Sequence, residues 1–144
     1  MKKNYLSITK YKKDSTRWYL VDAKNKILGR LISKIIPILT GKNKPTYCSS
    51  VNASDRIIII NASKISISGN KEKSKIYYKH SGRPGGMKTI NFQKLKARFP
   101  AKIIEIAIKG MLPKGRRGRE LFKNLRIYDN EYHNNYAQQP ELIN

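Results

Sequence analysis

The run from Lys109 to Arg119 has the residue types and spacing best suited to binding an anion, because three glycines and one proline lie among five basic residues. Glycines let the backbone approach a phosphate closely, and exposed N–H groups in such a loop can bind an anion. Arginines present forked donors to phosphate oxygens. Arg119 and Glu120 then open a predicted helix, whose N-terminus favours anions. The run therefore predicts contact with nucleic acid, the alternative being a solvated basic loop.

Two further segments have a related composition. Lys71–Lys88 places Tyr77, Tyr78 and His80 between basic residues, and aromatic rings in that setting can stack on unpaired bases. The alternative for the tyrosines is core packing, since one of two neighbours on a strand must point inward. Gly41–Pro45 is a third candidate, although its lysines also complement the dipole at a helix C-terminus.

The sequence offers little support for an enzyme. Gly110 and Gly115 have the glycine spacing of a Walker loop, but arginines follow where that motif needs Lys and Ser or Thr. The chain has no dinucleotide fingerprint, no nucleophile elbow, no zinc-spaced Cys/His pair and a single cysteine. Asp22 and Asp55 flank predicted strands and could meet, although turn and cap roles explain them more simply. We therefore expect no catalytic residues, metal, cofactor or small-molecule substrate.

Net charge and composition point to a polyanionic partner. The 144 residues carry a formal charge of +22, and 39% are hydrophobic, which suits one globular domain with a real core. Residues 71–126 contain seventeen basic and three acidic residues, whereas residues 127–144 contain three acidic residues and no Lys or Arg. No apolar run approaches the ~18 residues of a membrane-spanning helix. An anionic membrane surface is the second candidate partner, after nucleic acid.

The first half of the chain has the pattern of a strand–helix–strand unit. We predict a basic extended arm over residues 1–16 and a strand over Arg17–Val21. Apolar residues from Leu28 to Leu39 follow helical spacing, and Gly41 ends that helix, in which Pro37 is expected to introduce a kink. Ile57–Ile60 has the continuous apolar character of a central parallel strand.

The spacing of apolar residues in the second half of the chain predicts mostly helices. Ile65 and Ile67 alternate as in an extended segment, and Ile76–Tyr78 looks like another. Asn91–Phe99 predicts a short helix, and Pro100 opens the next one, with Ile103, Ile104, Ala107, Ile108 and Met111 on one face. The alternation of Ile104, Ile106 and Ile108 leaves a strand as the alternative there. A last short helix at Leu121–Leu125 and a strand from Leu125 to Tyr128 complete a predicted α/β class.

Taken together, these motifs resemble the large-subunit ribosomal protein L13 family in its bacterial form. The motifs occur in order along roughly residues 17–140: Trp18–Ala23, Leu28–Leu31, Gly41–Lys44, Asp55–Ala62, Gly69–Lys71, Tyr77–Gly82, Lys109–Gly115 with Gly118–Arg119, and Ala137–Pro140. The family's tail usually has two histidines before the last of these motifs. Here His133 fits the first, and Asn135 replaces the second.

The resemblance implies a three-layer α/β/α fold with a small, mostly parallel sheet of about four strands. It also implies a structural, rRNA-binding role in early assembly of the large subunit, in a bacterial cytoplasm or a plastid stroma. The expected partners are large-subunit rRNA and neighbouring ribosomal proteins, without a homo-oligomer. We expect one rRNA-binding domain over residues 17–128 and a polar tail over residues 129–144. The predicted RNA contacts are Arg30, Lys42, Lys44, Lys71, Lys73, Lys75, Tyr78, His80, Arg83, Lys88, Lys109, Lys114, Arg116, Arg117, Arg119, Lys123 and a surface-exposed His133.

Overall fold

The computed structural model describes residues 16–45, 47 and 55–143, so the predicted arm over residues 1–16 lies outside the described residues except for its last position. The strands are β1 (Trp18–Asp22), β2 (Arg56–Ile60), β3 (Ile76–His80), β4 (Met87–Asn91), β5 (Leu125–Ile127) and β6 (Glu141–Ile143). The α-helices are α1 (Leu28–Thr40), α2 (Lys71–Ser74), α3 (Phe92–Arg98), α4 (Pro100–Met111) and α5 (Arg116–Lys123). Two single 3-10 turns lie at Ala62–Lys64 and Tyr136–Gln138.

The main sheet has four strands in the order β5-β2-β1-β6, and each neighbouring pair is parallel. Strand β2 lies inside this sheet, and all four isoleucines from Ile57 to Ile60 are buried. Because successive side chains of a strand point to opposite faces, both faces of β2 are covered. The predicted α/β class, the small mostly parallel sheet and the central strand are therefore confirmed.

Helix α1 joins the parallel neighbours β1 and β2, as the strand–helix–strand pattern predicts. Its apolar stripe is buried, and Gly41 ends it in a left-handed conformation with φ 77°. The Gly41 N–H donates to the Ile38 carbonyl, and the Lys42 N–H donates to the Pro37 carbonyl. The helix end is thus set by a glycine that can adopt positive φ without strain.

Helices α3 and α4 pack against the core close to their predicted positions. Segment 100–111 is a helix with Pro100 in its first turn, and Ile103, Ile104 and Ile108 are fully buried. The strand alternative is therefore wrong. Met111 does not share the buried face, since it is 49% exposed and the next residue, Leu112, is buried instead. The chain leaves the helix there, which ends the periodicity on which that prediction depended.

Further elements differ from the sequence-based expectation, among them helix α2, which was not predicted, and helix α5, which begins at Arg116 rather than at Arg119. Between Ile65 and Ile67 there is only an isolated parallel bridge from Ser66 to Ile27, after the 3-10 turn. Strand β4 was not predicted, because Met87–Asn91 has no simple hydrophobic alternation. Strand β6 lies within the expected polar tail, where its three residues pair with β1. A pairing this short carries almost no periodic signal in the sequence.

Candidate nucleic-acid interface

The loop–α5 region, residues 109–123, is held by a very close backbone contact. It contains the end of α4, the loop 112–115 and helix α5. Leu112 and Leu121 anchor it in the core. Gly118 faces the loop so closely that a Cβ atom there would lie 1.8 Å from the Pro113 carbonyl oxygen. Only a glycine therefore lets α5 pack directly on the loop.

This packing directs a group of cations outward. Lys109, Lys114, Arg116, Arg119 and Lys123 are all exposed. Four of them border a cavity of about 430 Å³ that is lined by Lys109, Leu112, Pro113, Lys114, Gly115, Gly118, Arg119, Phe122 and Lys123. No acidic residue lies in the first turn of α5, and a helix N-terminus without its own carboxylates favours an anion. The arrangement suits binding of several phosphates.

Two arginines of this region already have contacts inside the chain. Arg116 Nε donates to Glu120 Oε1 at 3.1 Å on an exposed helix face, a pair of little energetic weight. Arg117 is half-buried, and its guanidinium carbon lies 5.8 Å from the centre of the Tyr47 ring. Arg117 therefore links α5 to the chain that follows α1, while Arg116 and Arg119 face solvent.

The segment after α1 contains one exposed lysine and one lysine that forms an ion pair. Lys42 is exposed, but Lys44 Nζ donates to Asp55 Oδ1 at 2.8 Å. The side chain of Asp55 is fully buried, and that of Lys44 is only 17% exposed. The Arg17 N–H donates to the same carboxylate oxygen at 3.3 Å. The structure therefore assigns Lys44 a structural ion pair with Asp55, while its contact with RNA stays a prediction.

The two aspartates considered as a catalytic pair do not meet. Asp22 ends β1 and Asp55 precedes β2, and because these strands are parallel the two residues lie at opposite edges of the sheet. Asp22 accepts hydrogen bonds from the Lys24 N–H and from Asn61 Nδ2, both at 2.9 Å. Burial alone would raise the pKa of Asp22, but these bonds and the nearby lysine charges bring its pKa below the usual value. Asp22 therefore stabilises a turn, as the simpler interpretation of the sequence predicts, whereas Asp55 connects the Arg17 backbone to the Lys44 side chain.

The predicted tyrosine- and lysine-rich segment forms an antiparallel hairpin, β3–β4. Its register places Lys79 directly opposite Lys88, and His80 opposite Met87. Gly82 and Gly85 adopt positive φ in the turn. His80 Nδ1 accepts a hydrogen bond from the Gly82 N–H at 2.9 Å, so this ring also stabilises the turn.

The two tyrosines of β3 point in opposite directions, as expected for neighbours on a strand. The Tyr77 ring is half-buried and stacks on Phe92 with a centroid distance of 6.5 Å. Burial raises the pKa of the Tyr77 hydroxyl. Tyr78 is 65% exposed on the other face. Tyr77 therefore attaches the hairpin to the core, and Tyr78 is free to contact a partner.

His133 is buried rather than at the surface, where the sequence predicts it, and its contact with RNA stays a prediction. It is 5% exposed, and its ring stacks on Tyr136 with a centroid distance of 4.2 Å. Its Nδ1 accepts a hydrogen bond from the Asn135 N–H, and the Asn135 side chain accepts one from the Tyr128 hydroxyl at 2.7 Å. The asparagine is thus part of a local network that orders the segment between β5 and β6, and the polar composition of this segment hid its packing.

The remaining predicted contacts are exposed. They are Arg30, Lys42, Lys71, Lys73, Lys75, Tyr78, His80, Arg83, Lys88, Lys109, Lys114, Arg116, Arg119 and Lys123. The structure brings them into separate regions on one core rather than into one cluster. Sequence reasoning missed Met87, which is exposed beside His80, and Tyr47, which contacts Arg117. The glycines of the hairpin turn were a signal from which the position of Met87 could have been found.

The described part of the chain contains no group of three or more His, Cys, Asp or Glu side chains that could hold a metal ion. None of the helices among the described residues is long and apolar enough to cross a membrane.

Comparisons with known proteins match most of the chain. The family model described as "Ribosomal protein L13" matches residues 16–134. A Large ribosomal subunit protein uL13 of Coxiella burnetii (strain CbuG_Q212) is 54% identical over 90% of this chain and 91% of its own length. The protein of the same name from Acaryochloris marina is 53% identical over 88% of this chain and 84% of its own length. The one from Shewanella amazonensis is 52% identical, with coverage of 90% and 91%.

Proposed function

This chain belongs to the ribosomal protein L13 family, and from that premise we propose that it is a structural component of the large ribosomal subunit. In this proposal it binds large-subunit rRNA without catalysing a reaction. Its expected location is the ribosome of a bacterial cytoplasm or a plastid stroma, with neighbouring large-subunit proteins as further partners. The bacterial and cyanobacterial sources of the relatives support this assignment.

The observation that carries the proposal is the fixed position of the exposed cations in the loop–α5 region. Gly118 packs against Pro113, and this contact fixes the backbone from which Lys114, Arg116 and Arg119 project. Cations held in a fixed arrangement lose little side-chain and loop freedom when they bind phosphates. Such a surface therefore favours one particular arrangement of RNA backbones.

The mechanism is electrostatic and geometric. Each phosphate that a Lys or Arg neutralises releases counterions, and this release drives binding in a salt-dependent way. The α/β core holds the loop–α5 region, the β3–β4 hairpin and the end of α1 at fixed relative positions. An RNA that folds so that its strands reach all three is stabilised over its open alternatives, and we propose this as the contribution to early subunit assembly.

A triple substitution tests where the contacts lie. Changing Arg116, Arg119 and Lys123 to Ala removes three exposed charges, and Lys24, Lys64 and Lys94 to Ala is the matched control with the same loss of charge elsewhere. In filter-binding titrations with a large-subunit rRNA fragment, the first variant should bind at least tenfold more weakly. Its salt slope should flatten by about two units, as expected for about three lost phosphate contacts. Equal effects of the two variants would overturn the proposed location.

Two other functions are separable by experiment. A nucleic-acid-processing enzyme would cleave labelled RNA in Mg²⁺, with turnover sensitive to Asp22→Asn or Asp55→Asn. We expect no turnover, since the two carboxylates lie at opposite edges of the sheet.

A general compacting protein would bind duplex DNA as tightly as rRNA. We expect rRNA to bind more tightly than duplex DNA in a competition assay, because its A-form helices and single-stranded loops differ in shape from B-DNA.

A further inference from the structure

The hairpin β3–β4 has an exposed face with an unusual composition. Because side chains alternate along a strand, the face opposite Tyr77 and Ile90 is made by the other residues of the two strands. We call this set the hairpin outer face, and it consists of Ile76, Tyr78, His80, Met87, Thr89 and Asn91. Tyr78 is 65% exposed, Met87 61% and Ile76 42%.

A two-sided ribbon with one face on the core normally has a polar second face. Here the inner face packs through Tyr77 and Ile90, yet the outer face still has an aromatic ring and two large apolar side chains. Exposed apolar groups that are contiguous rather than scattered mark an interaction site. The outer face therefore has the composition of a contact surface.

The charges at the tip of the hairpin indicate the kind of partner. Lys79 and Lys88 lie directly opposite each other near the hairpin tip, on the same face as Tyr77 and Ile90, and Arg83 lies in the turn that joins the two strands. Like charges directly opposite on a ribbon repel each other in the free protein. A phosphate placed near this pair would offset that repulsion, which an uncharged partner could not do.

We propose that the hairpin outer face binds unpaired RNA bases, with Tyr78 as the stacking platform and Met87 beside it. Thr89 lies directly opposite Tyr78 and Met87 is its diagonal neighbour, so the ring has a small polar group on one side and a flexible apolar one next to it. Lys79 projects from the opposite face of the ribbon, so the phosphates of a strand stacked on Tyr78 would meet cations at the exposed hairpin tip, where Arg83 lies. This inference rests on the proposed RNA-binding function and adds the class of RNA that this region takes.

Stacking requires a base whose face is accessible. In an A-form duplex the bases are stacked inside the helix, whereas bases in loops and single strands can splay onto aromatic side chains. The hairpin outer face should therefore contribute to binding of single strands and not of blunt duplexes. The loop–α5 region has no exposed aromatic ring among residues 109–123 and should serve both.

The test compares a single-stranded RNA 12-mer containing one 2-aminopurine with a blunt RNA duplex of the same length. Tyr78→Ala should weaken binding of the single strand about tenfold, the usual order for one stacked base, and abolish the quenching of 2-aminopurine. Its salt slope and its affinity for the duplex should not change. Tyr78→Phe should restore both affinity and quenching, since the stacking face is kept.

Tyr132 provides a matched control, because it is a strongly exposed tyrosine in the acidic C-terminal segment. Tyr132→Ala should leave both RNAs unaffected. The inference is overturned if Tyr78→Ala binds the single strand normally, or if it loses the duplex equally. Failure of the wild-type chain to bind either RNA would instead overturn the proposed function itself.

Discussion

The loop–α5 region and the β3–β4 hairpin are both rich in glycine and basic residues, yet they are built differently. The loop–α5 region is fixed by backbone packing at Gly118 and by buried leucines, so its cations surround a cavity with apolar walls. The hairpin is attached through Tyr77 and Ile90, while its other face is open to solvent. Similar composition thus produces a rigid electrostatic surface in one case and a two-faced ribbon in the other.

The substitution with the largest expected effect disrupts the packing of the loop–α5 region. Gly118→Ala places a methyl group where the Pro113 carbonyl oxygen now lies, so the loop or the helix must move. We expect a loss of about 3 kcal/mol in the free energy of unfolding, measured by urea denaturation. Binding of the rRNA fragment should also weaken, because the cations lose their fixed spacing.

Gly110→Ala is the matched control in the same region. Gly110 lies in helix α4, and a Cβ atom there would have no neighbour within 4 Å. This variant should be more stable by roughly 0.5–1 kcal/mol, because alanine is the better helix former. A similar cost for both glycines would show that close packing at Gly118 is not what fixes the loop.

The second prediction detaches the hairpin and leaves the loop–α5 region intact. Tyr77→Ala removes the ring that stacks on Phe92 and should cost about 1.5 kcal/mol. The amide protons of β3 and β4 should exchange faster with solvent, while those of α5 should keep their protection. Equal loss of protection in both regions would contradict the view that they are held independently.

The third prediction separates stability from binding within the hairpin. Lys88→Glu converts the repulsive pair with Lys79 into an attractive one and should stabilise the free protein by about 0.5 kcal/mol. The same change should weaken binding of the single-stranded RNA severalfold more than Lys24→Glu does. A variant that gains stability without losing RNA affinity would show that the lysine pair does not contact phosphate.

The smallest expected effect concerns alkaline pH. Burial raises the pKa of Tyr77 above its unfolded value near 10, so the folded state favours the neutral hydroxyl. The stability from this group is present below pH 10 and is lost as the pH rises through the folded pKa. Between pH 9 and pH 11, wild-type protein should therefore lose more stability than Tyr77→Phe in urea titrations. Identical losses would argue against burial of this hydroxyl.

Hydrophobic patterns within single helices and strands were enough to predict much of the fold. The helix that begins at Leu28 and the central strand Ile57–Ile60 have strong repeating patterns, and both are present. Strand β6 was missed because its three residues depend on pairing with β1, which no local pattern encodes. Strand β4 was missed because Met87 and Thr89 point to solvent, so the usual alternation is absent.

The position of the candidate site could be predicted from composition, but the contacts of its individual side chains could not. The exposed cations of the loop–α5 region follow directly from its sequence. The pairing of Lys44 with Asp55 and the burial of His133 do not, because both depend on residues that the fold brings together from a distance or on the path of an irregular segment. The composition of a segment therefore predicts where the exposed cations lie more reliably than it predicts which contacts each side chain makes.

The most direct measurement of the central claim is the reactivity of each lysine toward an amine-acylating reagent, free and bound to large-subunit rRNA. We expect protection of Lys109, Lys114 and Lys123 in the loop–α5 region and of Lys79 and Lys88 in the hairpin. The exposed lysines Lys24, Lys64 and Lys94 should keep their reactivity. Uniform protection of all exposed lysines, or protection confined to these last three, would contradict the claim that RNA is bound by these two regions.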